Sequence, residues 1–271
     1  MTIEIILLVL SPIFILFVTY EFVKHRRYYD IKDSMANTAL ALMHQASDAI
    51  ALLLLMPFFY WLYDYRIFDI ELSVMTVLGA FILQDFLYYW FHKASHHIHC
   101  LWAAHVVHHS STKMNFSTAF RQSLMYPIAG MWVFWLPMIL IGFDPITVFT
   151  VVALNLAYQF FVHTQIVNKL GWFEKVFNTP SHHRVHHAIN PDYIDQNFAG
   201  VLIIWDKLFG TYTEEKLTEP CKYGIVEQID SNNPLTITFH QWIYLGRGVL
   251  GARGLKAKFK VLFGNPKQSL H

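Results

Sequence analysis

Long uncharged stretches alternate with short polar ones along most of this chain. Ile5–Tyr20, Ala49–Tyr63, Gln122–Phe143 and Pro145–Asn168 contain no Asp, Glu, Lys or Arg, and Leu72–Phe91 is interrupted only by Asp85. A bilayer-spanning helix needs about 20 mainly apolar residues, so the last two uncharged runs and Leu72–Phe91 are predicted spans. Ile5–Tyr20 also spans if Glu4 and Glu21 mark its ends, whereas Ala49–Tyr63 is short and reads as re-entrant or interfacial. The expected fold is an all-α integral membrane protein with about four to five membrane helices. Five crossings satisfy the pattern, and three with a re-entrant second segment would satisfy it too.

Composition narrows this reading. The chain is 55% hydrophobic and only 14% charged, well below the charge content of a soluble domain. Basic residues collect at Lys24–Arg27, at Lys93, Lys113 and Arg121, and in the tail, while the alternate connections at Asp64–Glu71 and Gly142–Pro145 carry mostly acids. The positive-inside rule then places the N-terminus outside, the C-terminus in the cytosol, and the polar layer on the cytosolic side. No basic stretch precedes the first apolar run and no small-residue cleavage site follows it, so that run reads as an uncleaved anchor. Cys100 and Cys221 form no CxxC pair, which excludes a disulfide framework or a cysteine zinc site. A formal charge of +1 argues against nucleic acid as a partner. No repeat or linker divides the chain. Residues 1–271 read as one membrane-embedded domain, with a histidine-motif core at about 85–212 and a tail at about 231–271. Within the tail, Leu255–Phe263 is basic and apolar, which suits a helix on a membrane surface or an ordinary solvated one.

The candidate chemistry lies in the histidines. There are 16, and seven fall between His92 and His109, where even scatter would put about one. Three clusters stand out: His92 with His96, His105 with His108 and His109, and His183 with His186 and His187. Positions three and four apart share a helix face, so each cluster is expected to aim two or three imidazoles at one point. Imidazole binds iron, zinc, copper and nickel, and eight ligands suit two ions rather than one. Thr179 followed by Pro180 reads as an N-cap and first helical residue. Asp85 steps down the same face as Tyr89, His92 and His96. An ionisable group inside a membrane helix is costly, so Asp85 is expected to accept the N–H of a ligating histidine. Asn155, Gln159 and His163 recur at intervals of four, which makes His163 a candidate ninth ligand and Asn155 and Gln159 supporting candidates. His97, His99 and His182 lie off the shared faces, and His25, His44, His240 and His271 read as surface or interfacial residues. HExxH is absent, and no carboxylate pairs with histidine as in the ExxH of soluble di-iron bundles. An all-histidine di-metal site beside membrane helices points to two iron ions that activate O2 against a lipid C–H bond. No flavin, nicotinamide or haem motif is visible, so the reductant is expected from an electron-donor protein or a diffusible cofactor.

The spacing HxxxH, HxxHH, HxxHH resembles the fatty acid hydroxylase / sterol desaturase superfamily, from about Asp85 to Tyr212. Within it, HHSSTKMNFSTAFRQS (108–123), YQFFVHT (158–164), NTPSHHRVHH (178–187) and AGVLIIWDKLFGTY (199–212) are most similar to the alkylglycerol monooxygenase group. The resemblance implies a membrane-bound, di-iron, O2-dependent oxidoreductase. It puts the metal ligands at His92, His96, His105, His108, His109, His183, His186 and His187, with His163 matching a further family histidine. Asn115, Arg121, Asn197 and Asp206 fall in shared motifs; Asn197 and Asp206 are expected to support the ligands. The resemblance also implies cleavage of an ether lipid with tetrahydrobiopterin as reductant; His97 and Thr112, which stand where that group carries glutamates, weaken both of these implications and leave the iron site intact. The same iron site would serve a sterol or fatty acyl desaturase or hydroxylase. A histidine-rich metal transporter or metal-binding membrane protein is the alternative of another class, and it would place polar ligands near the bilayer midplane.

Overall fold

The computed structural model describes residues 3–266; Met1, Thr2 and residues 267–271, including His271 and the end of the expected tail, lie outside it. Among the described residues the architecture is all-helical, with only two isolated β-bridges, Phe177 with Leu202 and Ala188 with Tyr223. Three long helices come first: α1 (Ile3–Lys24), α2 (Ile31–Tyr63) and α3 (Val74–His97). Each start signal is local. The Asp30 side chain accepts from the Asp33 amide to open α2, and Ser73 and Thr76 cap each other reciprocally at the head of α3.

The apolar run Ala49–Tyr63 is not a separate short helix. It is the second half of α2, a continuous helix of 33 residues, about 50 Å long at 1.5 Å per residue. Hydropathy marked only the half without charges, because the first half carries Asp33 and Asn37 on a face that is buried against protein. The run Gln122–Phe143 departs in the other direction. It breaks into α5 (Tyr126–Ala129), a 3-10 turn (Met131–Trp135) and α6 (Leu136–Ile141). Gly130 takes a left-handed conformation at φ 77°, where a side chain is disfavoured, and Pro127 and Pro137 each start a new helical piece. Helix α7 (Pro145–Phe160) follows, 16 residues long. Among the described residues, α2 and α3 are long and apolar enough to cross a membrane; α6 with its preceding turn, and α7, are shorter apolar pieces.

Two ends can be defined by contacts. At one, the Ile67 and Phe68 amides donate to the Leu140 and Ile141 carbonyls, joining the α2–α3 loop to the end of α6. At the other, Glu21 at the end of α1 accepts from the Tyr29 hydroxyl (2.6 Å), the Phe116 amide (2.8 Å) and the Thr164 hydroxyl. Between them lies an aromatic-rich core of Phe59, Tyr88, Trp135, Met138, Ile139, Val148 and Phe149, from α2, α3, the broken segment and α7. Phe14 of α1 packs on Phe160 with ring centroids 4.4 Å apart.

The second end is capped by shorter helices. These are α4 (His99–His109), α8 (Pro180–His186) and α9 (Ile204–Phe209), with α10 (Pro234–Gly251) and α11 (Leu255–Phe263) packed outside α4. Thr179 is the N-cap of α8 by backbone position, but its hydroxyl donates to Glu174 (3.0 Å) and caps no amide of the helix.

Candidate metal centre

Four elements bring nine imidazoles together around the last turns of α3 and just past the end of α7. His92 and His96 lie one turn apart on α3, and His105, His108 and His109 on the last turns of α4. His183 and His186 lie on α8, His187 is its C-cap, and His163 follows α7 by three residues. All nine are buried, none more than 6% exposed. They form two groups, in each of which the ligand atoms lie within 4.8 Å of one another: His92, His96, His105, His109 and His186, and His108, His163, His183 and His187.

Each HxxHH cluster is therefore divided, which differs from the expectation that a cluster aims at one point. His105 and His109 serve one group while His108 between them serves the other; on α8 His183 and His187 pair, and His186 crosses over. The reason is angular. Residues four apart differ by about 40° around a helix, whereas adjacent residues differ by about 100°. The groups nonetheless abut: the His109 and His187 rings stack at 4.4 Å, and those of His183 and His186 at 5.4 Å.

The protonation pattern shows what these rings can hold. His92 Nδ1 lies 2.8 Å from the Phe198 carbonyl, His186 Nδ1 2.9 Å from the Gln196 carbonyl, His163 Nδ1 2.7 Å from the Gln159 carbonyl, and His108 Nδ1 3.1 Å from the Arg121 carbonyl. A carbonyl only accepts, so each of these Nδ1 atoms carries the proton. Burial pushes the imidazolium pKa of His105, His108, His109, His183, His186 and His187 well below the usual range, and neighbouring rings add to the effect; burial takes His163 down to about 4. The rings are neutral, and Nε2 is a bare lone pair wherever Nδ1 donates. Yet His163 Nε2 lies 3.1 Å from His108 Nε2, where no proton can join them. His186 Nε2 is buried with no hydrogen-bond partner. Lone pairs converging in this way fit a cation between them, and an all-imidazole set suits a first-row transition metal.

Two of these carbonyls, those of Gln196 and Phe198, are aimed by one loop. Asp195 and Asn197 adopt left-handed backbone at φ 59° and 57°, a conformation that Asp and Asn tolerate better than most residues. The Asn197 side chain donates to the His182 and Thr213 carbonyls and accepts from the Thr213 amide. Asp206 accepts from the Phe198 and Ala199 amides and the Thr211 hydroxyl. Burial raises its carboxyl to about 6, against the lowering effect of those donors.

Asp85 completes this clamp and touches no histidine, contrary to the expectation that it takes a ligand's N–H. Its carboxylate accepts from the Asn155 side chain (2.8 Å), the Val201 amide (2.8 Å), the Leu202 amide (3.0 Å) and the Trp205 indole (2.9 Å). The segment at 201–205 brings three of these donors and α7 the fourth, and together they occupy the carboxylate in place of an imidazole. Gln159 accepts from the Tyr88 hydroxyl and donates to Asn155, while its backbone carbonyl holds His163.

The remaining histidines stand apart. His97 faces the Lys93 carbonyl of its own helix, and His99 contacts the Val261 carbonyl and the Gln241 side chain in the tail. His182 is buried near Thr179 and Tyr212, outside both groups. Four contributors had no distinguishing signal in the sequence. Asp195 lies 3.3 Å from His96 Nδ1, and the Tyr126 hydroxyl 3.3 Å from His105 Nδ1. Asp33 and Asn37 of α2 accept from Arg121. The guanidinium of Arg121 also reaches the Val107 carbonyl and the Ser110 hydroxyl, which fixes the carbonyl that holds His108. Asn115 caps the 3-10 turn at Phe116–Phe120 and donates to the Tyr28 carbonyl.

The fatty acid hydroxylase family model matches residues 77–211. Alkylglycerol monooxygenase of Homo sapiens is 43% identical over 205 residues, 75% of this chain and 45% of the relative, and that of Caenorhabditis elegans is 36% identical over 236 residues, 85% and 45%. The ornithine lipid hydroxylase OlsE of Rhizobium tropici is 25% identical over 159 residues, 58% of this chain and 47% of the relative. The chain thus spans about half the length of the curated relatives it matches. No solved structure matches significantly.

Proposed function

Because this chain belongs to the fatty acid hydroxylase family, we propose that it is a membrane-bound oxidoreductase that inserts oxygen from O2 into a lipid C–H bond. The nine buried histidines would hold two iron ions, in the groups of five and four described above. The convergence of bare Nε2 lone pairs without any carboxylate in either group carries this reading. Two bound irons supply the activation of O2 that an unactivated C–H bond requires. The balance is one C–H bond, one O2, two electrons and two protons, giving an alcohol and one water.

The chain's own residues set the conditions for that chemistry. The carbonyls of Phe198, Gln196, Gln159 and Arg121 keep a proton on Nδ1 of their histidines and hence Nε2 free to ligate. Asp85 and Asp206 hold the loop that carries two of those carbonyls. The aromatic core below the histidines excludes water and offers apolar surface to an acyl or alkyl chain.

Residues 1–271 act as a single domain in this reading. The segments ending at Lys24, Tyr63, His97, Ile141 and Phe160 alternate between the two ends, which supports five crossings, with the broken segment counted as one. The positive charge at Lys24–Arg27 and in the tail supports a cytosolic histidine end. An ether lipid is the first substrate to test, since the relatives are named for alkylglycerol. Hydroxylating the carbon beside the ether oxygen gives a hemiacetal, which collapses to an aldehyde and an alcohol. The electrons would come from a partner protein or a diffusible reductant, tetrahydrobiopterin among those to try.

The test is iron per chain, followed by turnover with O2, several electron donors, and a panel of ether lipids, acyl lipids and sterols. The expected result is two irons and a product carrying one added oxygen. Loss of two hydrogens would instead reveal a desaturase on the same site, and iron-loaded protein inert with every donor would overturn the enzyme reading.

A further inference from the structure

Helix α11 carries a pattern that neither the metal centre nor the core uses. Leu255, Phe259 and Phe263 are four apart, hence within about 80° of one another around the helix. All three are exposed, Leu255 at 86%, and the Phe259 and Phe263 rings lie 4.6 Å apart. Lys256 and Lys260 run along one side of this stripe, exposed, and Lys258 flanks the other. The opposite side of the helix is the packed one. The Val261 and Gly264 carbonyls face His99, the first at 3.2 Å from its Nδ1 and the second at 3.0 Å from its amide. The apolar stripe therefore points away from the protein.

Depth and charge identify what covers it. His99 follows the last residue of α3, His97, by two positions, so α11 is tied at the level where α3 ends. Between Ser231 and Gly264 the chain has Arg247, Arg253, Lys256, Lys258 and Lys260 and no acid. An apolar stripe bordered by cations at the end of a span matches the boundary between headgroups and acyl chains of an anionic leaflet.

We propose that α11 lies in the headgroup layer of the cytosolic leaflet, with Leu255, Phe259 and Phe263 among the acyl chains and its lysines on anionic lipid phosphates. The proposal rests on the reading of α3 as a span that ends on the cytosolic side. Because α11 is bonded to the first residue of α4, docking braces the helix that carries His105, His108 and His109.

The test uses the full chain with Cys100→Ser and Cys221→Ser and one environment-sensitive fluorophore, attached at Phe259→Cys or at Ile82→Cys. Ile82 is exposed on α3 and reports the span. The host is a nanodisc of phosphatidylcholine alone or mixed with phosphatidylserine, with brominated acyl chains as quencher. Quenching at 82 is expected in both lipids. Quenching at 259 is expected to be several-fold stronger with phosphatidylserine, and that difference should vanish in high salt and in the variant Lys256→Gln/Lys258→Gln/Lys260→Gln. Retained quenching at 82 in that variant shows that the fold survives. A 259 label unquenched in either lipid, or quenched equally in both, overturns the proposal. A label at 82 that escapes quenching overturns the span instead.

Discussion

Asp85 is the residue whose role changed most between sequence and structure. Its place in an apolar helix marks it as functional, but spacing cannot say which donors reach it; the loop at 199–205, more than a hundred positions later, supplies three of the four. Asp85→Asn would put an amide N–H2 against donors. It is expected to cost about 1–3 kcal/mol of stability and to weaken iron binding roughly 10- to 100-fold with every histidine in place. Thermal melting and an iron titration measure the two effects. Gly200 tests the same junction from the other side. A Cβ there would lie 2.7 Å from Asn155 Oδ1, 2.9 Å from Tyr88 Cδ1 and 3.0 Å from Asp85 Oδ1. Gly200→Ala is therefore expected to destabilise by about 1–3 kcal/mol through overpacking, read as a lowered melting temperature; an unchanged one would mean the clamp is not this tight. His186→Ala removes a ring from the group of five and should abolish iron loading and activity together. Activity lost with iron content intact would argue that His186 is not a ligand.

Among the elements, α2 is the one that hydropathy described least well. Its uncharged half is obvious in the sequence, whereas its first half is polar toward the protein and indistinguishable there from a surface helix. Only the partners disclose the purpose: Asp33 and Asn37 accept from Arg121, Asn37 donates to Ser117, and the Ser111 hydroxyl donates to Asp33. Arg121 is 2% exposed and its carboxylate partner nearly as buried. Arg121→Met would strand that charge at a cost of about 3–5 kcal/mol, and Asp33→Asn in the same chain should recover part of it. A double variant no more stable than Arg121→Met alone, by melting temperature, would contradict the pairing. The broken segment between Gln122 and Phe143 is the converse case. Its prolines and Gly130 are legible in the sequence, but an uncharged run of that length reads as one helix until the turn at Gly130 is seen.

At the scale of the molecule, two groups of bare lone pairs repel one another unless a cation lies between them, so the metal should be part of the stability. Chelating the iron is expected to lower the melting temperature, and adding Fe(II) to restore it. Iron at 1,000 times its dissociation constant would contribute about 4 kcal/mol. A melting temperature indifferent to chelation would mean that the histidine layer folds without the ions. The sequence by itself determined the kind of protein, because apolar runs, their flanking charges and the spacing of histidines are local properties. It also determined which imidazoles are candidates, since helix periodicity brings them together in twos and threes. The tertiary structure alone decided how they divide. His108 leaves its neighbours for His163, and His186 leaves its own for His92, because which side of a helix meets which partner depends on the angle at which α4 and α8 pack across α3 and α7. The backbone carbonyls that orient the rings are equally invisible in one dimension, since every residue has one and only the fold determines which of them points at a histidine.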